Sequence, residues 1–527
     1  MFTPASQAKN VETMPDSKFS RRNFLQVGLA AGTGVALWEL YRLGFSNKID
    51  RNTASLLAFK ETGLDQDQLR KLLDIALAGG GEYADIFLEN SLSSYIGFNG
   101  EKFQNSGLES ISGAAIRVTA RGGTAFRAVT DLSWKSLTQA ARDAGNAARS
   151  DVRLPATALK PLQTPNLYPS PSPAVFQAMT EKQNVLNRIV ESAHHAYEHA
   201  RVAVTNYRDA MRFLTVATSD GVFAHDAQPL LKITVSVAAA NSSTGKSGVG
   251  YFNGGGHYGL EYFQRHSPEQ LGQRAAEIAR SQLESVPAPS GQLPVVLGPA
   301  YSGILMHEAV GHGLEADFNV KGYSAYSGRV GEQVASPLCT IYDDGRRENL
   351  NGSINFDDEG VPSSRTLLID RGRLTGYLHS RETAAKMNVP LTGNGRRQSF
   401  SYPPLPRMTN TYLDKGDTPS EEIIRSVKYG VYARTFAGGS VNIATGDFTF
   451  VPIEAYLIEK GKLTAPLSNV ILLGNGPEIM NRVVMVGDDL EISDHLWDCG
   501  KQGQMVPVTV GTPTIKVETM TVGGNNG

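Results

Sequence analysis

The sequence predicts an α+β protein: an N-terminal α/β region followed by a C-terminal domain with a large curved antiparallel β-sheet that carries the helix-like stretch Gly298–Asp317. Three observations predict it. The chain of 527 residues holds 54 glycines, a content that favours turn-rich β structure over a helix bundle. Stretches that alternate apolar and polar residues recur along the chain, broken by a few stretches with helical spacing. The pattern of strand, acidic-basic-Gly turn and strand occurs twice, at Leu368-Ile-Asp-Arg-Gly-Arg-Leu-Thr375 and Leu457-Ile-Glu-Lys-Gly-Lys-Leu-Thr464, and each copy reads as a hairpin whose glycine supplies a positive φ. With 41% hydrophobic residues the chain has material for two or three domains with ample cores. A net charge of −2 leaves no basic surface to speak for nucleic acid or anionic membrane as partners.

The first 20 residues are polar. Ser20-Arg21-Arg22-Asn23-Phe24-Leu25 then precedes a weakly apolar run, residues 27–38, closed by Glu39 and Arg42. Paired arginines before a modest apolar segment resemble a twin-arginine export signal, which implies a protein that leaves the cytoplasm folded and works in the periplasm. The rival is an amphipathic N-terminal helix with incidental arginines. The apolar run is shorter than the roughly 20 residues of a membrane span, and no Ala-x-Ala cleavage site follows, so residues 1–45 read as a signal that is either cleaved or kept as a membrane anchor.

Residues 60–288 read as an N-terminal α+β domain. Residues 65–79 place apolar residues at helical spacing and stop at Gly79-Gly-Gly81. Residues 83–88 and 114–119 alternate as strands, and 134–149 reads as a second helix. Residues 154–173 hold six prolines and read as a connector. Residues 175–201 form the longest helical pattern. It carries His194, His195 and His199, the last two at i,i+4, but with no following base and no glycine-relaxed turn they read as surface histidines. Strands at 212–218 and 230–239 lead into the glycine-rich stretch 248–259. Residues 268–285 read as a helix and 286–291 as the boundary to a C-terminal domain, residues 289–527. There 293–297, 470–473, 482–486, 506–510 and 514–517 read as strands. Residues 391–407 make a long irregular loop, whose Arg396, Arg397 and Arg407 either hold a substrate carboxylate or oxyanion or pair with acidic neighbours at a subunit contact.

The chemistry concentrates in the stretch from Gly298 to Asp317, which contains His307-Glu-Ala-Val-Gly-His312. Neutral imidazoles hold Zn²⁺ with a position open for water, the metal lowers the pKa of that water to about 7, and a neighbouring carboxylate removes its proton. His307 and His312 are the candidate ligands and Glu308 the candidate base. The two histidines are spaced i,i+5, whereas the common zinc-protease helix uses i,i+4. At about 100° per residue a regular α-helix sets them about 140° apart, so the helix must bulge, and Gly311 and Gly313 make a departure such as a π-bulge cheap. The bland alternative is a pair of ordinary helix histidines beside a solvated carboxylate. Candidates for a third ligand are Glu315, Asp317, His495 and Cys499, and spacing does not choose among them. Cys339 reads as a small buried hydrophobe. A disulfide between it and Cys499 is the alternative use of the chain's two cysteines.

The run from His307 to Phe318 resembles the HExxxH signature of the TldD/PmbA family, specifically its TldD branch of zinc metallopeptidases. Gly393-Asn-Gly-Arg-Arg397, Pro406-Arg-Met-Thr-Asn-Thr411, Gly438-Gly-Ser-Val441, Glu454-Ala-Tyr-Leu-Ile458 and Cys499-Gly-Lys-Gln-Gly503 agree in order. The likeness is dense over 298–517 and thin upstream, where it rests on Tyr83-Ala-Asp-Ile86. It implies that Cys499 is the third ligand, with water completing the site. It also implies that unfolded or short peptides are cleaved while held extended by strand addition to a sheet edge, in a channel between two subunits. Both a homodimer and a heterodimer with a PmbA-like paralogue fit. Two other readings compete: a zinc-containing, non-catalytic peptide-binding or assembly protein, and a zinc amidase acting on a non-peptide bond. A structural zinc usually has four protein ligands and no spare carboxylate, which favours the peptidase.

Overall fold

The computed structural model describes residue 59 and residues 62–99, 101–120, 123–148, 152, 154–170 and 173–524. The twin-arginine stretch and its apolar run lie outside the described residues. Among the described residues no helix is long and apolar enough to cross a membrane.

The first half builds one seven-stranded sheet from Tyr83–Phe98, Phe103–Ala120, Gly123–Val129, Ala200–Thr218, Val222–Asn241 and Lys246–Gly256, all antiparallel, with Lys160–Pro161 as a parallel neighbour. Two pairs of helices cover it. Helix α1 (Gln66–Ala78) begins at an Asp65/Gln68 capping box and buries Leu69, Leu72, Leu73, Ala76 and Leu77. It packs on α2 (Trp134–Ala148), which approaches so closely that a Cβ on Gly145 would lie 2.2 Å from the Ala76 carbonyl oxygen. Helices α3 (Met179–Ala196) and α4 (Pro268–Leu283) bury their apolar faces in a second cluster against the other half of the sheet.

One expectation fails here. The helix foreseen over 175–201 ends at Ala196, and from Ala200 the chain is a strand, so His195 and His199 share no helix face. His194 Nδ1 lies 2.9 Å from the Ala200 carbonyl oxygen. The glycines after residue 247 serve a strand, because Cβ atoms on Gly248 and Gly250 would fall 2.4 Å and 1.7 Å from carbonyl oxygens of α4.

The second half forms two principal sheets where one large sheet was expected. In the eight-stranded sheet, Tyr429–Val441, Gly291–Leu297, Ile515–Gly523, Ile471–Asn475 and Asp447–Glu459 pair in that order, and the last pairs back with the first, closing a ring. The seven-stranded sheet includes Ile341–Asp344, Asn410–Leu413, Gln504–Thr512 and, paired to the last, Trp497–Lys501. Both repeated hairpins form, and each turn needs two left-handed residues: Arg371 and Gly372 at φ 45° and 82°, Lys460 and Gly461 at φ 52° and 75°. The motif segment contacts both sheets. A Cβ on Gly303 would sit 2.6 Å from the Gly511 backbone of one, and Ile304 reaches Gly439 of the other.

Candidate metal centre

The motif runs through a 3₁₀ turn at Ala300–Gly303, a short α segment at Ile304–Met306, a π-helical turn at His307–Gly311 and a second 3₁₀ turn at His312–Leu314. The His312 N–H donates to the His307 carbonyl, an i→i+5 bond. That widened turn puts the two imidazoles on one side, ring centroids 4.7 Å apart. The flanking glycines act differently from expectation. Gly311 has an ordinary helical φ of −56°, and its missing side chain admits Met408, whose sulfur would be 2.0 Å from a Cβ there. Gly313 likewise makes room for the Tyr326 ring, 2.6 Å from where a Cβ would stand. As the helix unwinds, its carbonyls find new donors: the Tyr326 hydroxyl for Ala309 at 2.7 Å, and Ser324 and Asn319 for Gly313 at 2.6 and 2.9 Å.

Cys499 arrives on the strand Trp497–Lys501. Its Sγ is 3.2 Å from His307 Nε2 and 3.3 Å from His312 Nε2, and the three donor atoms all lie within 4.8 Å of one another. All three residues are buried. The set fits a borderline-soft divalent ion. Zn–S and Zn–N bonds of about 2.3 and 2.0 Å at a tetrahedral angle separate sulfur from nitrogen by about 3.5 Å, close to what is found. Burial opposes ionisation of the Cys499 thiol, yet His307 and His312 together hold it well below its ordinary pKa, which makes the thiolate that a metal requires available. Both cysteines are free, so the disulfide does not form, and burial pushes the Cys339 thiol up to about 12.

The other candidate ligands take other places. His495 stacks on Tyr301 and contacts Asn253 through Nδ1 at 3.0 Å. Asp317 pairs with Lys501 at 2.6 Å. Glu315 stands behind His312, accepting from its Nδ1 at 2.9 Å, which leaves Nε2 as the donor toward the ion. Burial alone would raise Glu315, but Lys501 at 3.1 Å and His312 bring it down to about 2. Arg407 Nε lies 3.5 Å from Glu315, and its Nη2 donates to the Cys499 carbonyl at 2.5 Å. Arg396 donates to the Met408 carbonyl at 2.6 Å, and Arg397 packs over Phe87 at 4.4 Å beside Asp358 and Asp85. All three arginines are buried within the chain, and none lines the cavity described next.

That cavity, about 510 Å³, is lined by His307, His312 and Cys499 together with half-buried Glu308, the strand residues 437–441, and Tyr301, Phe318 and Trp497. Its size suits a ligand site. Trp497 turns its ring edgewise to His307 at 5.1 Å. Tyr301, Trp497 and Lys501 were not singled out as single residues with a role from sequence, because proximity to a candidate ligand along the chain does not reveal which neighbours the fold turns toward the cavity.

Models of the three PmbA/TldA metallopeptidase domains match this chain in order: domain 1 at residues 84–148, the central domain at 169–283 and the C-terminal domain at 290–524. The chain belongs to the PmbA/TldA metallopeptidase family. The metalloprotease TldD homolog of Haemophilus influenzae is 36% identical over 484 residues, spanning 90% of this chain and 100% of that protein. The zinc metalloprotease TldD homolog of Saccharolobus solfataricus is 34% identical over 246 residues, 46% of this chain and 54% of its own length. The crystal structure of TldE from Thermococcus kodakarensis superposes with a TM-score of 0.70 at 19% identity, covering 87% of this chain and 100% of the other, so the two share a fold. The family membership supports a metal-dependent protease.

Proposed function

We propose that this PmbA/TldA-family protein is a zinc-dependent peptidase that cleaves unfolded or short peptides. The observation that carries the reading is the convergence of His307, His312 and Cys499 on one cavity whose wall also presents Glu308. Zinc, when bound by those three side chains, polarises a carbonyl and acidifies water. Glu308 takes the proton of the attacking water and passes it to the leaving amine. His312 is held in the ligating tautomer by Glu315. The strand Tyr429–Val441 supports an extended substrate. One edge of residues 438–441 pairs with Asp447–Glu459, while pairing with Gly291–Leu297 on the other edge covers only Val431–Ala433. The edge beside the cavity therefore offers backbone donors and acceptors to a peptide added as a strand.

On the same reading residues 60–288 and 289–527 are the two folded domains, and the peptide channel lies between two subunits, in a homodimer or a heterodimer with a PmbA-like paralogue. Residues 1–45 direct export by the twin-arginine route to the periplasm and are either cleaved or kept as an anchor. The test uses Glu308→Gln and His307→Ala beside the parent, with zinc content, peptide affinity and cleavage rate measured on each. Glu308→Gln keeps zinc and peptide but loses about 10² to 10⁴ in turnover, whereas His307→Ala loses zinc and activity together. Parental cleavage by Glu308→Gln overturns the mechanism. A parent that holds zinc and peptide without ever cutting establishes the binding or assembly protein in its place, and cleavage confined to a non-peptide amide establishes the amidase.

A further inference from the structure

Tyr301 is nine-tenths buried, with 7% of its surface exposed, and lies on the cavity wall with His307 and Glu308. Its ring is clamped. His495 stacks on it at 4.7 Å and 22°, Trp497 meets it edgewise at 5.4 Å, and Phe436 does so at 6.4 Å. Trp497 in turn touches His307, so the phenol is held in fixed relation to the candidate metal ligands. The residue before it, Ala300, is in the left-handed region at φ 66°, a conformation that non-glycine residues rarely hold.

Buried tyrosines normally find a partner for the hydroxyl, as three others in this half do: Tyr326 bonds the Ala309 carbonyl, Tyr377 bonds the Tyr326 carbonyl, and Tyr412 accepts from Arg365. Among the described residues no protein group hydrogen-bonds the Tyr301 hydroxyl. Burial first, then the charges of Tyr251 and Glu308, push its pKa well above the ordinary phenol value, so it remains a donor at every working pH. A rigid, protonated and unpartnered donor beside the candidate base is the arrangement that stabilises a developing oxyanion.

We infer that Tyr301 is a second catalytic residue, whose phenol O–H donates a hydrogen bond to the scissile carbonyl oxygen as that oxygen gains charge. The inference rests on the peptidase reading. Water oxygen bonds to the carbonyl carbon, the carbonyl π pair moves onto oxygen, and the water proton goes to Glu308. The Tyr301 hydrogen bond shortens onto that oxygen without giving up its proton. Collapse returns the pair to the carbonyl, the C–N bond breaks, and Glu308 gives its proton to the amine. Loss of one such donor costs about 10² to 10³ in kcat.

The experiment compares Tyr301→Phe, which keeps the ring and its packing, with the parent on an unstructured peptide. The affinity of a phosphinic peptide, a tetrahedral anionic mimic, is measured on both. Affinity for the uncleaved peptide is measured in the Glu308→Gln background with and without Tyr301→Phe. The expected result is a fall of about 10²-fold or more in kcat and a comparable fall in phosphinic affinity, with KM, zinc content and uncleaved-peptide affinity unchanged. Parental kcat, or equal loss of both peptide affinities, shows a packing role and overturns the inference while leaving the peptidase intact. A parent that cleaves no peptide overturns both.

Discussion

Replacing Glu315 by glutamine removes one negative charge from behind the His312 ring and keeps the side chain's shape. Glu315 is fully buried, and its Oε2 lies 2.9 Å from His312 Nδ1 and 3.1 Å from Lys501 Nζ, while Oε1 lies 3.5 Å from Arg407 Nε. Breaking a buried pair from one side costs roughly 3 to 5 kcal/mol. Lys501 keeps Asp317 at 2.6 Å, which places the loss near the lower end, about 3 kcal/mol. A second loss concerns the metal. Removing the carboxylate behind a ligating imidazole typically lowers affinity about 10- to 100-fold, and at saturating zinc that subtracts a further 1.4 to 2.7 kcal/mol or so through linkage. Urea unfolding of parent and variant, once in chelator and once in buffered zinc, separates the two, and competition with a chromophoric chelator gives the affinity directly. The variant should be about 3 kcal/mol less stable in chelator and about 4 to 6 kcal/mol less stable in zinc. An equal deficit in both buffers would show Glu315 to be an ion-pair partner with no hold on the metal. No deficit in either would refute the reasoning outright.

Other outcomes are equally specific. The purified protein should carry about one zinc per chain, as a three-ligand site would, and Cys499→Ala should abolish most of it while Cys339→Ala leaves it intact, as measured by elemental analysis. Buried His257 donates from Nδ1 to the Pro229 carbonyl at 2.6 Å, and burial holds its pKa down at about 4, against 6.5 for the free group. The unfolded chain therefore takes up a proton between those values that the folded chain refuses. This contribution is fully present above pH 6.5 and is lost as pH falls toward 4, by about 3 kcal/mol in all. His257→Gln should flatten that part of a urea-midpoint profile, and parallel profiles would count against it. Arg21→Lys together with Arg22→Lys should hold the protein in the cytoplasm, read by fractionation, and undiminished export would remove the twin-arginine assignment.

What could be read in the sequence was mostly local. Helices α1, α2 and α4 announce themselves through apolar residues at helical spacing, and both repeated hairpins follow from an acidic-basic-Gly turn. The i,i+5 spacing of His307 and His312 already demanded a widened turn, and the π turn is how the chain supplies it. Errors arose where tertiary contact overrode local pattern. Nothing in the sequence reveals that α4 lies against Gly248 and Gly250, the contact that leaves no room for a Cβ in that strand. The strand from Ala200 was absorbed into a helix because its first residues sit next to a true helical pattern. Division of the second half into two sheets depends on pairings such as Asn410–Leu413 with Gln504–Thr512, which no short-range signal records. At the site, Glu315 and Asp317 are as close to the motif in sequence as a ligand would be. Only the fold shows that one orients His312 and the other anchors Lys501.

The position of Cys499 is the least local feature of all, and it explains why so much of the chain bears on so small a site. His307 and His312 are set by one turn, whereas the thiolate is delivered by a strand from almost 200 residues further on, and each neighbour of that cysteine is fastened to a different part of the molecule. Arg407 holds its carbonyl at 2.5 Å. Asn351 bonds the Trp497 carbonyl at 2.9 Å. Lys232, from the N-terminal sheet, pairs with Asp498 at 2.5 Å, and Asn253 of the same sheet bonds the Leu496 carbonyl at 2.7 Å. A donor set has to be held to within about 0.5 Å to bind and work well. Among the described residues, the strand carrying Cys499 pairs with Gln504–Thr512 and with no other strand. Its precision must come from these side-chain ties, two of them supplied by the first half of the chain. The N-terminal sheet is thus part of what fixes the geometry of the site, although it contributes none of the three candidate ligands.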